Sequence, residues 1–293
     1  MYKDKFGNNY LKIALHLHTT ITDGQKTPEE VAEIYKNAGF DAIALTDHWY
    51  YGKEQTLHGL PILSGCEYNL GGSDTSVDVM HIIGVMMEED PQIQRSSATR
   101  QEVIDKINKA GGLAIFGHPA WSLNTLDDAK SLNGFGGVEI FNSVSECGQN
   151  VNRAYSDYFV DMCANSGIYY KILATDDAHA YDGNDELRGF IYVKGNEIDR
   201  EKILDAIKRG DFCASQGPII SAEIKDGYLI IDCTEACSIC VCSNAAWLPE
   251  RVLKGENLTH FEYKIRPIEK WVRAEATDKN GKKAWSNIFI PEK

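Results

Sequence analysis

The chain has 293 residues, enough for two domains of about 150 residues each or for one barrel with an additional unit. Hydrophobic residues make up 43% of it and charged residues 25%, which excludes wholesale disorder. The formal net charge of -13 disfavours broad nucleic-acid binding, because an acidic surface repels phosphate backbones. A small phosphorylated substrate is still allowed, since bound cations reverse the local field.

The chain shows no targeting or membrane signal. Its first residues lack the apolar stretch of a signal peptide, and its longest apolar run, residues 82–87, is far shorter than the roughly 20 residues of a membrane span. Without a secretion signal, the 8 cysteines are typical of reduced thiols. We therefore expect a cytoplasmic protein without membrane contact, and the oligomeric state stays open.

Up to about residue 210, short apolar runs alternate with amphipathic stretches. The apolar runs predict strands at residues 12–15, 42–46, 62–66, 80–85, 113–116, 138–141, 169–174 and 189–193. The amphipathic stretches predict helices at 28–38, 102–110, 152–166 and 199–209. The first of them begins with a capping box, in which Thr27 is the N-cap, Pro28 is at N1 and Glu30 is at N3. This alternation predicts a mainly parallel sheet.

Histidine and carboxylate side chains follow the predicted strands. They fall at or just past the carboxyl ends of several different strands, at His16, His18, His48, Glu67, His118, Asp177 and His179. In a β/α barrel these strand ends meet on one face, where functional sites lie. A doubly wound sheet gathers ligands only at its switch point, so the pattern favours a closed or nearly closed barrel.

The composition changes after about residue 211. Six short strands are predicted without a long helix, at residues 219–224, 228–232, 238–242, 261–265, 272–277 and 284–290. Asp226-Gly227 and Asn280-Gly281 are hairpin turn signals. We expect residues 1–210 to form the barrel and residues 211–293 a small antiparallel β domain of the sandwich type. Four cysteines in this part have spacings unlike those of a zinc site and are interpreted as buried strand thiols, at Cys233, Cys237, Cys240 and Cys242.

Imidazole and carboxylate groups together suit zinc, iron or manganese. His16 and His18 leave one strand two residues apart, so both side chains point to the same side. A single histidine of this kind is more often a satisfied core or surface residue. Because core histidines have no reason to collect at strand ends, the whole set favours a metal site.

These motifs resemble those of the PHP (polymerase and histidinol phosphatase) superfamily over about residues 10–195. They match in order, as His16-x-His18, Asp23-Gly24, Thr46-Asp47-His48, Gly65-Cys66-Glu67, His81, His118-Pro119 and Asp177-x-His179. The resemblance implies a mixed α/β fold, a distorted TIM-like (β/α)7 barrel that holds two or three divalent ions of manganese, zinc or iron. Most characterised members of this superfamily hydrolyse phosphoesters.

The resemblance also assigns ligands in a trinuclear centre. It implies a first ion on His16, His18, Glu67 and Asp177. Glu67 would bridge to a second ion, which His81 and His118 also hold. A third ion would take Asp23, His48 and His179. Asp176 is expected behind the ligands, and Asp47 either orients a ligand histidine or is a turn residue.

Such a centre predicts hydrolysis by a metal-bound hydroxide, with Glu67 and Asp177 as catalytic ligands. Paired ions lower the pKa of bound water to about 7 and stabilise the charge of the transition state. Three divalent ions against three carboxylates leave a positive pocket that attracts phosphate. No Gly-x-Ser-x-Gly elbow or P-loop is present in the sequence, which agrees with a reaction without a protein nucleophile.

The candidate substrate-binding residues are Arg188, Asn142 and Trp121. Arg188 follows the last ligand motif and either binds an anion as a fork or is a solvated loop arginine. Trp121, like the segment 49–51, follows a ligand motif and either walls the pocket or packs at the barrel rim. Asn142 follows a predicted strand end and is expected to face the site.

The leading function is a metal-dependent phosphoesterase that acts on a small molecule. The alternative is an amide, ester or carbamate hydrolase on the same ions. It rests on a second resemblance, of residues 271–273, 278–281 and 284–287 to the tail of the carbamate-hydrolase-like branch of the superfamily. Outside enzymes, the chain could be a metal-binding module whose β domain docks a partner.

Overall fold

A computed structural model describes residues 7–71 and 77–292. Within them the strands are β1 (Tyr10–Ala14), β2 (Ala42–Ala44), β3 (Gln55–Leu57), β4 (Leu60–Leu63), β5 (Gly65–Gly71), β6 (Val79–Val85), β7 (Leu113–Phe116), β8 (Gly137–Asn142), β9 (Lys171–Thr175), β10 (Phe190–Lys194), β11 (Phe212–Ser215), β12 (Ile220–Lys225), β13 (Tyr228–Ser243), β14 (Val252–Lys264), β15 (Val272–Thr277) and β16 (Lys283–Trp285). The α-helices are α1 (Pro28–Asn37), α2 (Arg100–Lys109), α3 (Leu126–Ser131), α4 (Asp157–Asn165) and α5 (Arg200–Arg209). The fold is therefore of the mixed α/β class.

Seven strands, β1, β2 and β5–β9, belong to two sheets that share a buried apolar cluster. One sheet has the order β5-β6-β7-β8-β9, and β1 and β2 are neighbours in the other. Two isolated bridges join these sheets, between His48 and Glu67 and between Leu17 and Ala178. Side chains of β1, β2, β6, β7 and β9 share one buried cluster, into which the apolar face of α5 also packs. Both bridges lie just past the ends of β1, β2 and β9, and the two sheets therefore meet there.

The prediction of a mainly parallel sheet is only partly correct. The β1–β2, β7–β8 and β8–β9 ladders are parallel, but the β5–β6 and β6–β7 ladders are antiparallel. β5 and β6 follow each other in the chain and pair antiparallel, with Gly71 opposite Val79. Glu67 consequently lies inside β5, not past the end of a strand as predicted.

The predicted helix starts are partly confirmed. At α1 the capping box is present: the Glu30 amide donates to the Thr27 hydroxyl at 3.3 Å, and the Glu30 carboxylate accepts from the Thr27 amide at 2.8 Å. Helix α4 begins at Asp157, five residues later than predicted, because the preceding segment pairs with β8 through a Phe141–Tyr155 bridge. Helix α3 was not predicted, although Thr125 begins it with a second capping box.

Residues 212–285 continue the larger sheet. All their ladders are antiparallel, and the β11–β16 and β10–β11 ladders connect them to β10 and β1. The predicted Asp226-Gly227 hairpin is confirmed: both residues have the positive φ values of a type I′ turn, 51° and 79°. The strands predicted at 228–232 and 238–242 are one strand, β13, with register shifts between Asp232 and Ser238.

The tail motif residues connect this sheet to the barrel. Arg273 is 1% exposed, and its guanidinium binds both carboxylate oxygens of Asp161 in α4, at 2.8 and 3.1 Å. The indole of Trp285 donates to Asp157 at 3.3 Å. The side chain of Asn287 accepts from the Ile172 amide of β9 at 2.9 Å. These residues are buried at a structural junction.

Replacing Arg273 by methionine is expected to lower the free energy of unfolding by about 2 kcal/mol. It leaves Asp161, whose side chain is 33% exposed, without its cationic partner, and the partial exposure of that carboxylate limits the loss. Urea unfolding followed by circular dichroism measures the change. The control is Arg209→Met at a 63% exposed arginine of α5, and an equal loss in both variants would contradict the role of the ion pair.

Candidate metal centre

The nine predicted ligands lie close together in the structure. They come from seven places in the fold: the ends of β1, β2, β7 and β9, the loop that carries Asp23, and the interiors of β5 and β6. In each of three groups the possible ligand atoms lie within 4.8 Å of one another. The groups are His16, His18, Glu67 and Asp177; Glu67, His81 and His118; and His18, Asp23, His48 and His179. Each group contains the residues that the family resemblance assigns to one ion, and the third also includes His18. The three metal sites themselves stay a prediction.

In the first group, two ring nitrogens face two carboxylates. The Nε2 atoms of His16 and His18 are 3.2 Å apart, and they lie 3.2 and 3.1 Å from Asp177 Oδ1. Ligands bonded to one ion at about 2.0–2.2 Å are roughly 3.0–3.5 Å from one another. Two ring nitrogens this close, both facing carboxylate oxygens, have the spacing of ligands around a common ion.

Glu67 joins the first group to the second. Its Oε2 lies 3.0 Å from His18 Nε2, while its Oε1 lies 2.7 Å from His81 Nδ1 and 3.4 Å from His118 Nε2. The side chain is 1% exposed. One carboxylate therefore reaches both groups, as expected of a bridging ligand.

The third group depends on a tight loop. Asp23 Oδ2 lies 3.4 Å from His48 Nε2 and 3.6 Å from His179 Nε2, and Asp23 Oδ1 lies 3.4 Å from His18 Nδ1. The loop folds back so closely that a Cβ on Gly24 would lie 2.5 Å from the carbonyl of His18. Only glycine fits at this position without moving the backbone that carries Asp23.

Unpaired buried atoms support metal binding. Within the described ranges, His18 Nδ1, His48 Nδ1 and Asp177 Oδ1 are buried and have no hydrogen-bond partner. Buried polar atoms are nearly always satisfied, so these atoms call for a group that the polypeptide does not supply. Since the set combines imidazole nitrogens and carboxylate oxygens, it fits a divalent ion such as zinc, manganese or iron.

In the metal-free centre the histidines and the carboxylates shift one another's pKa values. Burial by itself would lower the pKa of His16, His18 and His118, but the neighbouring carboxylates outweigh burial and raise all three pKa values. Burial would raise the pKa of Glu67 and Asp177, but the histidines around them hold both pKa values below the usual range. Without metal, protons on the histidines therefore take the place of the ions.

A residue that the sequence analysis missed holds the first group from behind. Glu139 in β8 is 1% exposed and accepts from His16 Nδ1 at 2.7 Å and from the His118 amide at 2.8 Å. A carboxylate that binds the free nitrogen of a ligand histidine fixes its ring and increases its basicity. The available signal was a charged residue in the middle of the apolar run Val138–Phe141.

The two other predicted supporting residues hold loops. Asp47 accepts from the amide and hydroxyl of Thr19 at 2.9 and 2.8 Å and from the Thr22 hydroxyl at 2.8 Å. These described side-chain contacts hold the loop before Asp23 and do not include a histidine, so the role of Asp47 in orienting a ligand histidine stays a prediction. Asp176 accepts from the Tyr35 hydroxyl at 2.5 Å, and its burial raises its pKa to about 7.

The ligands open onto a cavity of about 630 Å³. Trp121 lines this cavity, with its ring centre 5.0 Å from that of His118, and its indole donates to Asn150 at 2.8 Å. Trp49 and Tyr51 pack against the core beside the cavity, whereas Tyr50 is exposed. The indole of Trp121 is thus held as one wall of the space beside the ligands.

The other two candidate substrate residues lie off the cavity wall. The Arg188 guanidinium is bound to Glu146 and to the carbonyl of Asn184. The Asn142 amide donates to Glu139 at 3.0 Å and to Asp177 at 3.1 Å, so it supports a ligand. The described cavity wall includes neither residue, and their roles in substrate binding stay predictions. It does include Arg95, which the sequence analysis missed.

Comparisons with known proteins agree with the fold. The structure resembles a two-domain protein from Bacteroides vulgatus that contains a predicted PHP-like metal-dependent phosphoesterase, with a TM-score of 0.57 and 15% identity over 99% of this chain and 97% of that one. At this level of identity the likeness shows a common fold. A weaker likeness, with a TM-score of 0.49 and 18% identity, is to Endonuclease Q in complex with abasic duplex DNA, over 69% of this chain and 57% of that one.

Sequence comparison adds one relative of unknown function. An uncharacterized protein of Methanocaldococcus jannaschii is 28% identical over 150 residues, which cover 45% of this chain and 82% of that protein. No family model matches the chain. In the part of the chain that the structure describes, no helix has the length and apolar character needed to cross a membrane.

Replacing Gly24 by alanine is expected to remove about one equivalent of bound metal, because the new methyl group displaces the loop that carries Asp23. Metal analysis by mass spectrometry, after chelation and reloading with manganese, measures the change. Gly148→Ala is the control, since a Cβ at Gly148 meets nothing within 4 Å. Full metal content in the Gly24 variant would contradict the third site.

Metal binding is expected to weaken as the pH falls from about 8 to about 6. The raised pKa values of His16, His18 and His118 mean that these rings hold protons that an ion must displace. Calorimetry in buffers of different ionisation enthalpy measures the protons released at each pH. Binding without proton release across this interval would show that the three rings are not ligands.

Proposed function

We propose that the chain is a metal-dependent hydrolase and, more specifically, a phosphoesterase that acts on a small-molecule phosphate ester. The observation that carries this proposal is the arrangement of three ligand groups around the shared carboxylate of Glu67, open to a cavity of about 630 Å³. We interpret the seven strands around the interior as the predicted distorted (β/α)7 barrel. Its antiparallel β5–β6–β7 part is the distortion.

The proposed roles follow from the contacts. Divalent ions bound by the three groups would supply hydroxide near neutral pH and would neutralise the charge that develops on a phosphoryl group. Glu67 and Asp177 each face histidines of two groups and so fix the spacing of the groups. Glu139 fixes the ring of His16 and the backbone of His118. Trp121 supplies an apolar wall for the leaving group.

A phosphate ester is favoured over a carboxyl-derived substrate by the positive charge of a loaded centre. Glu139 adds a fourth carboxylate beside Asp23, Glu67 and Asp177, but the charge of three divalent ions still exceeds that of four carboxylates. The alternative hydrolase rested on the tail motifs, and the side chains of Trp271, Arg273 and Trp285 are each at most 1% exposed. Since none of them lies on the described cavity wall, the tail does not favour carboxyl chemistry.

We also propose residues 211–293 as a second unit that supports the cavity. Gln216 donates to the hydroxyl of Tyr155 at 3.1 Å, and Tyr155 lies beside Trp285. Tyr155 follows the segment that carries Ser145 and Asn150, which line the cavity. The β domain thus contacts the chain that leads to one cavity wall, and this contact suits a supporting role.

Manganese-loaded protein is expected to release nitrophenol from p-nitrophenyl phosphate, and Glu67→Gln is expected to lower kcat by at least about a hundredfold. The substitution removes the charge that both groups share but keeps the size of the side chain. The measurement is the initial rate with and without a chelator.

Glu33→Gln, at an exposed position of α1, is the matched control and is expected to keep the wild-type rate. Full activity of the Glu67 variant would contradict the assignment of the centre. A loaded wild-type protein that cleaves p-nitrophenyl acetate but no phosphate ester would instead support the amide, ester or carbamate alternative.

A further inference from the structure

Arg95 is a cation beside the metal centre that the ligand groups do not use. Among the described residues that line the cavity, it is the one arginine or lysine. The remaining wall, apart from the ligands, consists of uncharged side chains: Thr22, Asn69, Trp121, Val144, Ser145 and Asn150. No other residue of the described wall therefore carries a permanent positive charge.

The guanidinium of Arg95 is available for a ligand. It makes no ion pair with a carboxylate in residues 7–71 or 77–292, in contrast to Arg100, which pairs with Asp128 at 3.1 Å, and to Arg188, which pairs with Glu146. Its described contact is with the face of Trp49, whose ring centre lies 5.5 Å from the guanidinium carbon. Stacking of this kind holds an arginine in place and leaves its donor edge free.

Trp49, on which Arg95 stacks, is held by residues of β5 next to the ligand Glu67. The indole nitrogen of Trp49 donates to Asn69, and the ring of Tyr68 packs edge-on against that of Trp49 at 5.1 Å. Asn69 lies two residues after Glu67 in β5 and is opposite His81 in β6. Asn69 and Arg95 therefore lie on the cavity wall beside the second ligand group.

Resting on the proposed function, we propose that Arg95 binds a second anionic group of the substrate, a carboxylate or a phosphate distinct from the ester that is hydrolysed. The metal groups take one anion, and a fork of guanidinium donors is the matching partner for another. The preferred substrate class is then a phosphate ester whose leaving group carries its own negative charge. This assigns to Arg95 the specificity role that the sequence analysis gave to Arg188.

The kinetic test compares phenyl phosphate with the three carboxyphenyl phosphates, in which the second anion lies at different distances from the ester. Arg95→Gln is expected to raise KM for the best carboxylated ester about tenfold or more, because a charge-assisted hydrogen bond is lost. KM for phenyl phosphate and both kcat values are expected to stay within about twofold. Arg95→Lys keeps the charge but not the paired donors of the guanidinium. Its KM for the carboxylated ester is expected to lie between that of the wild type and that of Arg95→Gln.

Arg209→Gln is the matched control, at an exposed arginine of α5. It is expected to keep the wild-type preference for carboxylated esters. An equal loss for phenyl phosphate and the carboxylated esters in the Arg95 variant would show a general charge effect and would overturn the specificity role. An unchanged preference in the Arg95 variant would overturn it as well.

A binding test separates this inference from the proposed function. Calorimetry with phenylphosphonate and the carboxyphenylphosphonates, which are not hydrolysed, measures the preference of the manganese-loaded protein without turnover. A preference for the second anion that Arg95→Gln removes, in a protein that hydrolyses no phosphate ester, supports the role of Arg95 and refutes the phosphoesterase. Equal affinity for all the phosphonates, including no measurable binding, overturns the role of Arg95.

Discussion

The structure depends on the burial of one carboxylate, that of Glu67. A buried ionised group is costly unless other groups pair with it, so the surrounding chain has to bring compensating charges to it. It does so with imidazole nitrogens that lie within 3.4 Å of the carboxylate oxygens, from His16, His18, His48, His81 and His118. These histidines come from the end of β1, the end of β2, β6 and the end of β7. The strands that carry them must therefore be neighbours of β5 in space for Glu67 to be buried as a charged group.

The sequence predicted the ligand groups better than the sheet. Ligand residue types at strand ends are rare enough to stand out, and all nine predicted ligands lie together. An apolar run does not indicate the direction of a strand, so the sequence could not distinguish the antiparallel β6 from a parallel strand. Arg188 was singled out because it follows a ligand motif, but in the folded chain it pairs with Glu146, whereas Arg95, which follows no motif, lines the cavity. Glu139 is visible in the sequence as a charged residue in an apolar strand, but only its contact with His16 shows that it supports a ligand.

Several residues of the centre have unfavourable backbone conformations. Trp49, His118 and Asp177 have positive φ values of 56°, 23° and 54°. A residue with a side chain costs roughly 1 kcal/mol or more in this region, so each is retained only because its surroundings fix it. The Asp177 amide donates a hydrogen bond to the His16 carbonyl at 2.9 Å, and the His118 amide donates one to Glu139 at 2.8 Å. These bonds hold the backbone that places the side chains of Asp177 and His118 among the other ligands.

The distribution of the ligands along the chain has a consequence for biosynthesis. The first group joins His16 to Asp177, and His179 belongs to the third group. A nascent chain on the ribosome exposes its first histidine pair long before the last carboxylate and histidine have been added. The second group, Glu67, His81 and His118, can be completed before Asp177 and His179 are synthesised, whereas the first and third groups cannot. An ion bound to the first or third group therefore has to enter after β9 has joined the sheet, and the fit of that nearly finished site then selects among ions.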